Sequence, residues 1–331
     1  MPTLSSEVEG GLKSFGNRIL LAMGVVATAL TGSISTTAQS QDSRPQVCDV
    51  PTRTITLFAE ELSNGRVGYG LTPETAKVPG PTLEMVEGEC VAIRLTNRTG
   101  RRVSFHPHGV AYTVRSDGTP LNRSCVQPSR TRTYVVEAVP QQARTDGTIN
   151  PGTAGYWNYH DHCRGGPHGT DGIRSGLFGA LVVRRAGDPI PDKRFVAVMS
   201  GVHFNLRRAP NTPVFKANQG QRVEFVIITH GDALHSFHLH GHRWADTRTG
   251  MADAMSEDPT VIDNKTSGPG DSFGFQIVAG EDSGPGAWMY HCHVQSHSDL
   301  GMSGIFLVRN PDGTVPSHAR RALDKWRHGA H

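Results

Sequence analysis

The sequence predicts an all-β protein of two tandem Greek-key β-sandwich domains, on three observations. The 331 residues include Gly 38 and Pro 21, which punctuate short alternating or apolar runs with almost no helix-period stretch of any length. That length suits two domains of ordinary size, each with its own core. The third observation is that the chain repeats itself. "EGECVAIRLTN" around Val91 returns as "QGQRVEFVIIT" around Val223, and "FHPHG" at His106 as "FHLHG" at His238, both at a spacing of 132 residues. "WNYHDH" with Trp157 returns as "WMYHCH" with Trp288 at 131, and "GLFGALVVR" from Gly176 as "GMSGIFLVR" from Gly301 at 125. The falling spacing places about six extra residues in the first copy, after its second histidine pair.

In chain order, residues 1–40 read as an export signal. Lys13 and Arg18 precede the apolar run "ILLAMGVVATAL", Ile19 to Leu30, which is shorter than a membrane span needs and is followed by small polar residues. Cleavage is expected near Ala38 to Ser40, with a retained anchor as the alternative. No twin-arginine pair precedes the run, so the export route stays open. Residues 41–187 form the expected first domain, "DPIPDK" the link, and residues 194–310 the second domain. The polar tail, residues 311–331, contains "SHARRALDKW", expected to make one or two helical turns and given no function. No other segment is long and apolar enough to cross a membrane, so no membrane partner is expected after cleavage. A formal net charge of +3, without a Lys/Arg-rich block or basic-aromatic interleaving, argues against nucleic acid.

Residues two apart on a strand share a face, so each His-x-His pair is a two-pronged ligand. Four such pairs stand at matching places in the two copies: His106/His108, His160/His162, His238/His240 and His291/His293. One pair could be surface or core histidines, but four at symmetry-related places in a duplicated domain point to borderline metals such as copper or zinc, and to more than one ion.

The stretch "AWMYHCHVQSHSDLGM", Ala287 to Met302, adds a second kind of site. If His291 and His293 face the cluster, Cys292 faces the other side of the same strand. His297 and Met302 follow it, and His235 precedes His238 by three residues. Two imidazoles, a thiolate and a weak thioether form the ligand set of a blue-copper electron-transfer centre, whereas zinc takes four ligands without a thioether. Cys292 is covalently continuous with both flanking histidines, which wires a one-electron centre to a cluster, as four-electron dioxygen reduction requires. The first copy has Asp161 where the second has Cys292, and Val103 where it has His235, so only the second copy can build the blue site.

On these residues, together with "GYG", "VPGP", "SDGT", "HGHRWADTRTG", "VIDNK" and "DSFGFQI", the chain resembles the multicopper oxidases, and most closely the two-domain bacterial small laccases with type 1 copper in domain 2. The resemblance covers roughly residues 52 to 315 and implies two cupredoxin-like domains. It implies four coppers per functional unit: one type 1, one type 2 and two type 3. Type 1 copper would take His235, Cys292 and His297 with Met302 axial. Type 2 copper would take His106 and His238. The type 3 pair would take His108, His160, His162, His240, His291 and His293. The implied activity is one-electron oxidation of phenols or aromatic amines coupled to reduction of dioxygen to water, in an exported homotrimer whose trinuclear sites lie between chains.

Other readings stay open. A cuprous-ion or other metal oxidase shares the ligand set, though Met-rich inserts are absent among only 8 methionines. A copper nitrite reductase shares the two-domain plan but would carry its blue copper in domain 1 and an isolated type 2 site. A copper-buffering protein would not require a thiolate wired to a cluster. Asp117 and Asp263 are candidate proton donors, with ordinary turns as the alternative, and Tyr112 a candidate redox-active phenol or a core tyrosine. His168 and His242 are candidate ligand-orienting donors, or surface residues. His203, His230, His318, His328 and His331 fall outside the motifs. If Cys292 binds metal, then Cys48, Cys90, Cys125 and Cys163 allow up to two disulfides in any of three pairings, or remain thiols, with Cys163 beside His162 left undecided.

Overall fold

The two copies of the repeat fold alike, each as two sheets enclosing one core. The computed structural model describes residues 47, 48, 50–252 and 259–329. The expected export segment, residues 1–40, lies outside them, as does His331. In the first copy a five-stranded sheet runs in spatial order Val67–Gly70, Arg53–Glu61, Cys90–Asn97, Thr131–Glu137, Ala111–Tyr112. It packs on a four-stranded sheet of Leu83–Val86, Phe178–Arg184, Gly155–His160 and His106–Pro107. In the second copy the four-stranded sheet is His203–Phe204, Lys193–Ser200, Arg222–His230, Ser272–Val278. The five-stranded sheet is Val214–Asn218, Ser303–Arg309, Gly286–Cys292, His235–Leu239, Asn264–Ser267. Val91 and Val223 occupy matching registers, opposite Arg53 and Lys193 of the parallel neighbour strand.

The period of two explains how the copies join. Phe178–Arg184 is buried at every position. Leu181 and Val183 point into the first core, while Phe178, Ala180 and Val182 pack with Val198, Val226 and Ile228 of the second copy. In Arg222–His230, Val223, Phe225 and Ile227 fill the second core, leaving 224, 226, 228 and 230 to face the first copy. This shared layer buries both strands at nearly every position rather than at alternate ones.

One end of the layer is polar. Glu224, fully buried, accepts from Arg184 Nη2 (2.9 Å to each carboxylate oxygen), Tyr156 OH (2.9 Å), Gln276 Nε2 (3.1 Å) and Arg194 Nε. Arg184 Nε and Arg194 Nη2 each also reach Glu84 at 2.6 Å. Every charge is paired, as burial demands.

The tail corrects one expectation. Ser317–Arg327 is an 11-residue helix rather than one or two turns. Ala319, Leu323 and Trp326 pack on Ile305, Leu307, Ala287 and Met289, the outward-facing residues of two neighbouring strands. That apolar stripe stabilises a helix which its own length would leave marginal. Four cysteines form two disulfides, Cys48–Cys90 and Cys125–Cys163, and Cys292 is a free, buried thiol. So Cys163 beside His162 is not a free thiol. Among the described residues, no helix is long and apolar enough to cross a membrane.

Candidate metal centres

Each histidine pair sits where its two motifs interlock. Gly109 and Gly241, which close "HPHG" and "HLHG", take φ of +72° and +66°, and a Cβ there would come within 1.9 Å of the Trp157 ring and 2.8 Å of the Trp288 ring. Only glycine suits both the left-handed backbone and the close approach. The tryptophan of the second motif thus lies on the glycine of the first. Antiparallel pairing sets His106 opposite His160, and His238 opposite His291, on one face of each pair.

The eight histidines form two quartets of matching geometry. In the first, His108 Nε2 and His160 Nε2 stand 3.0 Å apart, and the His106 ring lies 5.1 Å from those of His108 and His162. In the second, His240 Nε2 and His291 Nε2 stand 3.1 Å apart, and the His238 ring lies 4.9 Å from His240 and 5.4 Å from His293. Potential ligand atoms of His106, His108 and His160 lie within 4.8 Å of one another, as do those of His238, His240 and His291. His162 and His293 flank these triads.

Backbone carbonyls hold the rings. His106 Nδ1 contacts Asp117 O at 2.5 Å and His238 Nδ1 contacts Asp263 O at 2.8 Å. His160 and His291 bond the carbonyls of Asp161 (2.8 Å) and Cys292 (2.9 Å). A carbonyl only accepts, so each of these Nδ1 atoms carries a proton, which in the neutral ring leaves Nε2 with its lone pair. Burial, then neighbouring His106 and His162, push His108 down to about 4, and burial with His230 pushes His160 well below its ordinary value. Burial also lowers His240 and His291. His162 Nδ1 is buried with no hydrogen-bond partner. Convergent imidazoles with an orphaned ring nitrogen fit a metal cluster, and imidazole suits copper among the borderline metals.

The third cluster lies on the other face of the same strand. Cys292 Sγ is 3.7 Å from His235 Nδ1 and 3.6 Å from His297 Nδ1. Met302 is fully buried in the same core, with its N–H on His297 O (3.0 Å) and its carbonyl accepting from Cys292 N (3.0 Å). Burial, then His297, push His235 down to about 4, and burial raises the Cys292 thiol. A thiolate there calls for a cation, and the thiol, two imidazoles and thioether fit copper. His235 is fully buried, whereas His297 is partly exposed.

At the corresponding place in the first copy a carboxylate does the tying. Asp161, fully buried, accepts from Ser104 N (2.6 Å), Arg164 N (2.6 Å) and Cys163 N (3.2 Å). Val103 is buried and bridges to Val126. Beside them the Cys125–Cys163 disulfide joins the end of the His160/His162 strand to the loop that carries Asp117.

The remaining candidates take definite places. Asp117 and Asp263 hold the His106 and His238 rings through their backbone carbonyls. Their carboxylates stand 3.6 Å from His106 Nδ1 and 3.8 Å from His238 Nδ1. Asp117 also accepts from Asn122 Nδ2 at 2.6 Å. The Tyr112 ring lies 6.1 Å from His106, and burial, then Asp117, raise its phenol above the usual range. His242 donates Nδ1–H to His240 O (2.9 Å) and accepts Gly280 N–H on Nε2 (3.0 Å), fixing the backbone of a quartet residue. His168 lies 5.4 Å from His162, ring to ring. His203 pairs with Ser200 at a sheet edge. His318 contacts Pro285 O at 3.1 Å, and His328 caps the C-terminal helix.

His230 is the residue that motif reasoning missed. It ends the strand Arg222–His230, on the face turned to the first copy, with its ring 5.6 Å from His160 and its Nε2 buried without a partner. Its parity with Glu224, Val226 and Ile228 is the available signal, but that parity becomes informative only once the partner of this face is known.

Among the described residues, no ring contact joins one quartet to the other, and the triads are separate groups. Family models described as multicopper oxidase match residues 75–188 and 189–312. A probable nitrite reductase-hydroxylamine oxidoreductase fusion protein of Kuenenia stuttgartiensis is 34% identical over 73% of this chain and 28% of its own length. Ferroxidase HEPHL1 of Homo sapiens is 33% identical over 70% of this chain and 23% of its own. The chain thus spans under a third of either relative. The solved blue copper oxidase from Nitrosomonas europaea shares the fold, with a TM-score of 0.57, 23% identity and coverage of 82% of this chain and 95% of that one.

Proposed function

The chain belongs to the multicopper oxidase family, and from that premise we propose that it is a laccase-like oxidase, taking single electrons from phenols or aromatic amines and passing them to dioxygen. The observation that carries this reading is Cys292, which sits between two quartet histidines while its sulfur faces His235 and His297 on the other side of the strand. Four coppers held by these residues, one by His235, Cys292, His297 and Met302 and three by the eight quartet histidines, would supply one-electron acceptance and the four-electron reduction of dioxygen to water.

The chain's own part is positioning and connection. Cys292 is bonded through the backbone to His291 and His293, and His291 Nδ1–H donates to Cys292 O at 2.9 Å, a hydrogen-bonded shortcut between the two sites. His297, partly exposed, offers the edge where a donor arrives. Asp117 and Asp263 are the proton donors of this reading, supported by their carboxylates standing beside His106 and His238.

Each quartet supplies only half of the expected ligands, so in this reading His106, His108, His160 and His162 of one chain meet His238, His240, His291 and His293 of the next. Such a contact is head-to-tail and must close into a ring, here of three chains. Two disulfides support export to an oxidising compartment.

The test is copper-loaded Cys292→Ser. It should lose the visible thiolate-to-copper band and oxygen uptake with phenols, while the quartets keep most of their copper. A variant that stays blue refutes the assignment. Oxygen uptake by the parent protein with phenols, cuprous ion and ferrous ion, beside nitrite consumption, separates the laccase reading from the metal-oxidase and nitrite-reductase readings that the relatives' names raise.

A further inference from the structure

A cleft of about 270 Å³ lies between residues 62–66 and 76–78 of the first copy and the turn after the strand His203–Phe204. Its charged lining residues are Arg66, Lys77 and Arg207, and no carboxylate lines it. Among the described residues, Lys77 and Arg207 make no ion pair, and the Arg66 guanidinium donates only to Leu206 O, at 2.7 Å. Elsewhere this chain pairs its cations freely, as at Arg184, Arg194 and Arg248. Three cations without an ion pair among the described residues, around one concavity, concentrate a positive field, because low-dielectric walls focus it. Nearby His203 is held below the ordinary histidine range by burial and by Arg208 and Arg66.

The cleft is built rather than incidental. Asn205 and Leu206 both take left-handed φ, 52° and 61°, which non-glycine residues rarely adopt. Asn205 is locked there, its Oδ1 accepting Val198 N–H (2.7 Å) and its Nδ2 donating to Val196 O (2.9 Å). Arg207, which follows this turn, lines the cleft together with Arg66 and Lys77. Leu62 and Val78 give the cleft an apolar side, and its volume suits a single ring. Two residues beyond Arg207, Ala209 N–H donates to Gly301 O at 2.8 Å, and Gly301 adjoins Met302 of the thiolate site.

We propose that this cleft binds a small one-ring carboxylate, its anion held by Arg66, Lys77 and Arg207 and its ring against Leu62 and Val78. On the oxidase reading above, on which this second part rests, carboxylated phenols are the favoured electron donors, because Arg207 of the cleft lies two residues before Ala209, whose N–H ties this segment to Gly301 next to Met302.

The test uses the copper-loaded full chain and a matched pair of donors, 2,6-dimethoxyphenol and its 4-carboxylate. Calorimetric binding of the carboxylate should weaken about tenfold in Lys77→Gln/Arg207→Gln, as for loss of two exposed charge contacts, and should weaken with salt. The kcat/KM for the carboxylate should fall by the same factor through KM, with that for the neutral phenol held. Equal binding by parent and variant overturns the site, as does an equal loss with both phenols. If the carboxylate binds and the variant loses it but neither phenol is oxidised, the site stands and the oxidase reading fails. Oxidation of both phenols without binding of the carboxylate overturns the site and leaves the oxidase reading standing.

Discussion

Mixing two inactive chains tests the shared cluster. His108→Ala/His160→Ala removes the convergent Nε2 pair of the first quartet, whose atoms stand 3.0 Å apart, and His240→Ala/His291→Ala removes the 3.1 Å pair of the second. Either variant alone leaves every cluster lacking two ligands, so both should be inactive in oxygen uptake. In a head-to-tail ring, an intact cluster forms only where an unmutated first quartet meets an unmutated second one. Any mixed trimer has one such junction among its three, and random assortment of equal amounts makes about a quarter of all junctions intact. The intact second quartet lies on the chain whose own Cys292 serves it. Oxygen uptake by co-refolded trimers, with size checked by light scattering, should therefore recover to about a quarter of the parent value. Mixed trimers that form but stay inactive, or a parent protein fully active as a monomer, refute the inter-chain assignment.

Replacing Met302 by Leu should retain the blue band and raise the potential of the thiolate site, because a thioether donor is lost from a buried position. Redox titration showing an unchanged or lower potential counts against axial ligation. Glu224→Gln leaves Arg184 and Arg194 under-compensated between the two copies, and should destabilise the protein by about 3–5 kcal/mol in urea unfolding, a penalty typical of breaking a buried pair. Loss below about 1 kcal/mol would show that the network is not decisive. Burial pushes Asp188 up, but its bonds to Arg248 and to the Arg185 N–H outweigh this and hold its carboxyl below the ordinary range. A depressed carboxyl contributes stability that is present above its unfolded pKa and lost as pH falls through the folded value. The destabilisation by Asp188→Asn should thus be full at neutral pH and shrink below about pH 4. A pH-independent difference would contradict it.

Much of the grouping of the candidate metal ligands is legible along the chain because strand parity is a local, covalent property. Residues 291 and 293 must share a face and 292 must oppose them wherever the strand lies, so the Cys292 site follows from the sequence once His235 and His297 are noticed. The duplication likewise exposes Asp161 and Val103 as the place where the first copy lacks such a site. What those two residues do instead was not legible: that Asp161 gathers three N–H groups depends on how a distant loop closes over it.

By itself, then, the sequence determined the two-fold repeat, the β architecture, the quartet histidines and the side of the strand that the thiol occupies. Tertiary structure alone decided the disulfide partners, the packing of Phe178–Arg184 against Arg222–His230, the place of His230 beside His160, the length of the C-terminal helix and the meeting of Arg66, Lys77 and Arg207. The physical reason is the range of the forces involved. Alternation and spacing are imposed by the backbone within a few residues, whereas the partner of an apolar face or a charge is chosen by burial among segments far apart in the chain.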